Sequence, residues 1–450
     1  MGRDVGRPGL QLDLRPRGSS PRGSSPKGSS QRPFTPSSPG GNAPETLCRN
    51  ADSLSAKGFS RAGHTPSLVA SLLHFDVSFM VWVLLGALGA FVAADLDLTP
   101  VQKGLMVAVP PLGGCGFRLI LGSIVERIGI KRTGLASMGL TFVPLIWGWL
   151  GGGTYAQVLG IGLLLGVAGA SFAVALPLVS RWYPPEFQGL ALGIAGAGNS
   201  GTIIAILAAP RLAQHVGWHG VFGLACLPVA LTWLTFAFLA KEPPVRTGPK
   251  AGSALSMLQE PDARWLSMFY LVTFGGFVGL SGYLSIFFVD RFDMSKLSAA
   301  GYAALCAGAG SLLRPVGGAL ADRLGGTRVL TGALTIVAAL AVGLASLPGL
   351  GLTVGLLMFT MGTLGMGNGA VFQVVPQRFP AAVGPMTGLV GAAGGLGGFL
   401  LPFALGSLQG STGTFAAGFV VFAGAAATAS VAVGRRQRVW QRDWALDVAV

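Results

Sequence analysis

From Gly114 to Gly134 the chain reads GCGFRLILGSIVERIGIKRTG, a glycine-rich apolar run that carries Arg118 and turns polar at Glu126 and Arg127. Farther on, from Ser311 to Val329, the same design returns as SLLRPVGGALADRLGGTRV, with Arg314 in the place of Arg118. A shift of 196 positions takes Arg118 to Arg314, Gly122 to Gly318, Glu126 to Asp322, Arg127 to Arg323, Gly129 to Gly325 and Arg132 to Arg328. A second duplication sets GASF (169–172) against GAVF (369–372), each followed by a basic-aromatic-proline turn. The chain is an internal repeat, and each copy places a lone arginine in an apolar run. A buried charge without compensation is costly, so something must offset both.

Composition says what surrounds those runs. Charged residues make up only 11% of the 450 residues, hydrophobic ones 51%, and 71 positions are glycine, where a soluble protein carries about 25% charge. Mean hydropathy is +0.63. Apolar runs of about 20 residues, enough to cross a bilayer as a helix, recur from Leu68 almost to the end. Helices satisfy their own backbone groups inside lipid, so the expected fold is an all-α polytopic membrane protein. Twelve transmembrane helices are expected, at about 69–93, 101–123, 133–151, 155–179, 189–210, 219–240, 264–289, 298–321, 328–348, 351–375, 385–408 and 413–434. The polar, Pro-rich break KEPPVRTGPKAGSALSMLQEPDAR (241–264) divides them six plus six. The expected organisation is a six-helix bundle in 66–240, a linker in 241–263, a second bundle in 264–434 and a C-terminal tail in 435–450. Parallel repeats of this kind predict two pseudo-symmetric bundles with a site between them.

The net charge of +14 would suit nucleic acid, but its placement follows topology instead. Basic residues crowd alternate connections, as at Arg127, Lys131 and Arg132, Lys241 and Arg246, and Arg435, Arg436 and Arg438. The intervening connections hold only Lys103, Arg211, Arg291 and Lys296. Positive-inside bias then puts both termini in the cytoplasm, in a multi-pass protein of the cell (inner) membrane. Residues 1–65, with RGSSPRGSSPKGSSQRPFTPSSPGG inside them, read as a disordered basic tail. The tail lacks the apolar core of a secretory signal, and attraction to anionic lipid is its functional alternative. Cys48, Cys115, Cys226 and Cys306 show no paired spacing, so no disulfide framework, metal or cofactor is expected. No nucleophile–base pair suggests an enzyme.

Depth along a helix follows from its rise of about 1.5 Å per residue. Arg118 and Arg314 each stand eight positions from the acid of their repeat, which is about 12 Å inward and near the middle of a core about 30 Å thick. The neighbouring acids Asp76 and Asp290 lie too near helix ends to neutralise them. Either backbone carbonyls at a helix break satisfy each arginine, or the two serve a shared anion. Planar guanidinium forks suit a flat oxyanion. Asn199, ten residues beyond Gly189, reaches similar depth, as does Phe172, nine residues from Arg181. Tyr270 and Phe274 share a helix face. The GAGNSG stretch around Asn199 matches the spacing of a dinucleotide fingerprint, but it lies mid-span with no strand before it. Close helix approach explains Gly193, Gly196, Gly198 and Gly201 better. The run GLVGAAGGLGGFLLP, with Gly394, Gly395, Gly397 and Gly398, is its counterpart. Helices packed this closely leave room for a substrate of only a few atoms.

The stretches HFDVSFMVWVLLG, GASF through RWYPPEFQGLALGIAGAGNSG, YLVTFGGFVGLSGY, LLRPVGGALADRLGGTRV and GLVGAAGGLGGFLLP together resemble the nitrate/nitrite porter family of the major facilitator superfamily, over about residues 69 to 434. The repeated loop pattern G-x-x-x-[DE]-R-x-G-x-x-R resembles the superfamily signature. In it Gly122 and Gly318 are expected to let helices approach, while Glu126, Arg127, Asp322 and Arg323 pair across the cytoplasmic ends and gate the carrier. The glycine segments resemble the family's paired nitrate signatures, although no asparagine stands opposite Asn199, where Leu396 is the nearest residue. The resemblance implies a monomeric carrier of nitrate and nitrite. Arg118 and Arg314 would clamp the anion, Asn199 and Tyr270 would donate hydrogen bonds, and Phe172 and Phe274 would press on its flat faces. Another small anion, such as formate or oxalate, is the alternative cargo.

An inside-negative potential opposes anion entry by about 2.3 kcal/mol per 100 mV. Exchange of nitrate for nitrite needs no titrating residue; proton symport is easiest with one. Asp76, with His74 beside it, is the candidate for carrying protons, and the first span resembles the family's uptake branch. Proton-coupled nitrate uptake is therefore the expectation, with antiport as the alternative.

Overall fold

Lipid leaves no water for an open backbone group, so each apolar run closes on itself as helix. The computed structural model describes residues 56–244, 254–379 and 382–447. Most of the expected basic tail (1–55) and the middle of the expected linker (245–253) lie outside the described residues. A short α1 (Ala56–Ala62) leads into a first crossing built from three pieces, α2 (Thr65–Trp82), α3 (Leu84–Ala87) and α4 (Gly89–Asp95). Then follow α5 (Pro100–Ile128), α6 (Ile130–Leu150), α7 (Tyr155–Gly169), α8 (Phe172–Trp182), α9 (Pro185–Gly196), a 3-10 turn (Ala197–Ser200) and α10 (Gly201–Leu239). The second repeat comprises α11 (Pro261–Phe292), α12 (Lys296–Leu324), α13 (Gly326–Ala345), α14 (Leu350–Arg378), α15 (Val383–Thr412) and α16 (Ala416–Asp447).

Among the described residues ten continuous stretches are long and apolar enough to cross a membrane. One of them, Ala191–Leu239, reverses at Gly217 (φ 69°) and holds two crossings. The broken helix from Thr65 to Asp95 adds one more, which gives twelve. Among the described residues no strand forms. Helices overrun the expected spans at their ends. The last continues to Asp447, through the stretch expected as a tail, because α13 and α11 offer it a surface beyond the apolar run.

Equivalent helices pack alike in the two repeats: α5 on α7 as α12 on α14, α2 on α10 as α11 on α15, and α6 on α10 as α13 on α16. Each arginine-bearing helix ends in a glycine of matching conformation, Gly129 (φ 93°) and Gly325 (φ 90°). Only glycine adopts this backbone readily, so the signature loop turns the chain directly into the next helix.

The repeats meet along two seams, α5 against α15 and α10 against α12. We call the end where α1 begins and α16 finishes the terminal end, and the opposite one the distal end. Distally the repeats meet backbone on backbone, at α5 against α15 and at α3 against α11. A Cβ on Gly104 would lie 2.7 Å from the Pro402 carbonyl, and one on Gly86 would lie 2.7 Å from Gly282 Cα. Lys103 bridges the same end, donating to both Asp290 oxygens at 2.9 and 3.0 Å.

The terminal end differs from expectation. Gly122 and Gly318 face open space, because the side of each helix on which a Cβ would stand carries no neighbour there. Glu126 pairs with Arg181 at 2.5 Å, within its own repeat. Arg127, Asp322 and Arg323 are exposed and form no ion pair among the described residues. The second repeat instead ties its helix ends together through Asp262, which accepts from Arg378 at 2.6 Å and Arg436 at 2.7 Å. Among the described residues no ion pair crosses between repeats at this end.

Candidate functional site

Arg118 is only 1% exposed, midway along α5. Its guanidinium lies 5.0 Å from the Trp82 ring, 5.7 Å from Phe172 and 5.4 Å from Phe274. Trp82 and Phe172 come from the first repeat and Phe274 from the second, so aromatic faces from both sides box the charge. Nε donates to the Gly169 carbonyl at 3.0 Å. That oxygen is available because α7 stops there, and the amide of Ala173 donates to Ala170 instead. Nη1 donates across the seam to the Gly391 carbonyl of α15. Nη2 has no partner. The helix-break alternative thus holds in part: carbonyls occupy two nitrogens and leave the third free.

Arg314 reaches the same cluster from the second repeat. Its guanidinium stands 5.8 Å from the Phe372 ring, and its buried Nη1 has no partner. Phe372 meets Tyr270 edge-on at 5.0 Å and 84° and Phe172 at 5.4 Å. Tyr270 lies flat on Phe274, 4.8 Å away and 7° from parallel. The rings therefore form a continuous path from one arginine to the other. The two guanidinium groups repel each other and both act on the Tyr270 hydroxyl, which itself completes no hydrogen bond of normal geometry. Among the described residues neither arginine touches a carboxylate. Two like charges held beside each other without an acid make a positive centre, and an anion is what relieves it.

The glycine segments differ in how they serve this centre. A Cβ on Gly394 would come 2.7 Å from both Phe274 and Tyr270, one on Gly395 2.9 Å from the Pro111 carbonyl, and one on Gly398 3.0 Å from Pro111 Cβ. Gly397 meets the Leu271 carbonyl just as closely. In the first repeat Gly198 abuts Phe75 and Gly201 abuts the Asp76 backbone. Gly193 and Gly196 have nothing within reach, so the close-approach expectation fails for them: α9 passes no neighbour on that side.

Asn199 is 2% exposed with both amide atoms unpartnered. It stands in the 3-10 turn that leans on α2 and α12. Asp76 accepts from Ser200 at 2.7 Å. It is deeper than its expected place near a helix end, because α2 begins at Thr65 and puts Asp76 11 residues in, about 16 Å of rise. His74 turns away into the first repeat, with its ring 4.9 Å from Phe236.

Sequence reasoning missed Trp82, Phe372 and the carbonyls of Gly169 and Gly391. The GASF/GAVF duplication carried the signal for Phe372, as the counterpart of Phe172. Nothing local marks Trp82, and its role depends on where α5 and α11 pass.

A buried positive centre between two parallel helical repeats is the arrangement of a membrane carrier. The family model of the Major Facilitator Superfamily matches residues 70–402. The chain is 32% identical to the nitrite extrusion protein of Bacillus subtilis, over 80% of this chain and 91% of that one. It is 33% identical to the probable nitrate/nitrite transporter NarK2 of Mycobacterium tuberculosis, over 77% and 89%. It is also 32% identical to the probable nitrate/nitrite antiporter NarK1 of Thermus thermophilus, over 74% and 82%. A bacterial homologue of the human lysosomal transporter Spinster, solved inward-facing and occupied, shares the fold at TM-score 0.64 and 17% identity, over 82% of this chain and 96% of that one. The chain belongs to the major facilitator superfamily and, within it, to the nitrate/nitrite porter family.

Proposed function

We propose that the protein is a secondary carrier that moves nitrate and nitrite across the cell membrane by alternating access, with Arg118 and Arg314 holding the anion between the repeats. One observation carries this reading. Arginines from opposite repeats share an aromatic cluster, and each keeps a buried guanidinium nitrogen without a partner. A planar oxyanion accepts hydrogen bonds in its plane and offers flat faces to rings, which suits Phe172 and Phe274. Tyr270 adds a hydroxyl, and Asn199 an amide from the neighbouring turn. The basic connections favour cytoplasmic termini. On that assignment the distal seam is the outward gate and the signature loops work the inward one.

We read uptake as proton-coupled, with Asp76 as the proton carrier, since its carboxyl sits deep beside the turn that presents Asn199. Nitrate-for-nitrite exchange is the second reading, and one observation favours it: Asp76 bonds Ser200 and makes no hydrogen bond or ion pair with either arginine. Labelled nitrate uptake into proteoliposomes, with and without a pH gradient, separates the two. Uptake that ignores the gradient and follows internal nitrite removes the symport reading. In the same assay Arg118→Lys and Arg314→Lys lose the forked geometry and are expected to fall about 100-fold, the loss of one or two charge-assisted hydrogen bonds. Unchanged rates in both would refute the clamp.

A further inference from the structure

The first repeat brings an amide, Asn199, to the centre of the membrane, and the position opposite it in the second repeat is Leu396, which is 37% exposed and turned outward. The second repeat nevertheless buries an amide of its own on a different helix. Asn368 of α14 is 1% exposed, and neither its Nδ2 nor its Oδ1 has a partner. Its counterpart under the GASF/GAVF shift is Ala168, so the repeat itself does not call for a polar residue there. A carboxamide closed off from water without partners is costly, which makes its presence in a membrane-spanning helix informative.

The surroundings of Asn368 point to a task. It precedes Phe372 by one helical turn, so the two share a face of α14, and Phe372 is the ring beside Arg314 and Tyr270. The neighbouring Gly369 lies against the backbone of α12, with its missing Cβ directed at the Arg314 carbonyl and 2.6 Å from the Gly318 amide nitrogen. No side chain separates the two helices there, which fixes Asn368 at the depth of Arg314. On the other flank Gly367 faces Thr273 of α11, whose hydroxyl is also buried without a partner. Arg314 Nη1, the Tyr270 hydroxyl, the Thr273 hydroxyl and both ends of the Asn368 amide are each buried without a partner, on residues that meet α14 at Gly367, Gly369 and Phe372, around Asn368.

We propose that Asn368 is a specificity-determining residue of the second repeat, whose amide N–H joins Arg314 and Tyr270 in donating to the transported oxyanion. The inference rests on the nitrate/nitrite reading and deepens it: the two repeats present equivalent donor sets, an arginine and an amide each, with the second amide supplied from a different helix.

The test is initial-rate transport of labelled nitrate and nitrite in proteoliposomes by wild type, Asn368→Ala, Asn368→Ser and Asn368→Asp, at matched inserted protein. Asn368→Ala is expected to raise KM for nitrate about tenfold, the value of one hydrogen bond to a charged group, with the maximal rate within about twofold. Asn368→Ser keeps a short donor and is expected to recover most of that loss. Asn368→Asp matches the shape but opposes the anion, and is expected to abolish uptake. A residue that merely fills space would give the opposite pattern, with Asp tolerated and KM unmoved by Ala; that pattern overturns the proposal. If the alanine variant fails to insert, the Ser and Asp variants decide, read also by the nitrate-dependent rise in melting temperature. Wild type that neither transports nor is stabilised by nitrate or nitrite overturns the transport reading itself, whereas normal wild-type uptake with unchanged variants overturns only the role of Asn368.

Discussion

The two ends of the seam between the repeats are built to opposite specifications. Distally, Gly104, Gly406, Gly86 and Gly282 let backbones touch, and Lys103 and Asp290 tie one repeat to the other. At the terminal end Gly122 and Gly318 face nothing, and among the described residues every ion pair stays inside its own repeat. A joint that is packed at one end and unlatched at the other marks a rocking carrier caught on one side of its cycle. It also teaches that the same residue type, a helix glycine, reports a contact at one end and a vacancy at the other.

The largest effect should come from wedging the packed end. Gly104→Leu forces a side chain into the Pro402 backbone, an overpacking cost of at least about 2 kcal/mol. Transport should fall at least about 30-fold, with cysteines near Val107 becoming reactive from the distal side. Gly318→Leu, the same wedge placed in open space, should leave the melting temperature within about 2 °C of wild type. It should slow turnover only if the terminal end closes during the cycle. Equal melting losses for both variants would erase the contrast.

A smaller effect separates the repeats at the terminal end. Asp262→Asn leaves Arg378 and Arg436 beside an 8%-exposed site without their carboxylate and should cost about 2 kcal/mol of stability. Glu126→Gln breaks a pair whose acid is 67% exposed and should be nearly silent and salt-insensitive in thermal melts. Comparable losses would mean that the first repeat depends on its signature acid as much as the second depends on Asp262.

The smallest of the three concerns the latch. Lys103→Ala removes a partly buried pair worth about 1 kcal/mol, shifting the distal-open population about fivefold. Exchanging the two residues, Lys103→Asp with Asp290→Lys, should restore the wild-type balance. A double variant as open as the single one would show that the glycine packing alone holds this end.

Much of the fold was legible because the decisive signals are local. The repeat around Arg118 and Arg314, the apolar runs and the polar break after Leu239 are all visible in one dimension. Arg118, Arg314 and Phe172 were also legible by depth, since helical rise places them at a similar level, whereas Tyr270 and Phe274 read only as one helix face until the family resemblance gave them a role. What escaped depends on partners that sequence distance hides. Trp82 and Phe372 matter because of the helices crossing beside them, and the Gly391 carbonyl matters because α15 passes within reach of Arg118. Asp76 was misplaced because the first helix begins at Thr65, several residues before its apolar run. Gly122 and Gly318 were misread because a glycine's place in a repeated motif does not say whether a neighbour stands on its open side, and here none does.

Of the two carbonyls that hold Arg118, Gly169 travels with it in the first repeat and Gly391 belongs to the second. Any stroke that rocks one repeat against the other stretches the second bond and spares the first. On the proposed clamp, that motion varies how many guanidinium hydrogens are open to cargo, and affinity for the anion would rise and fall with the position of the hinge.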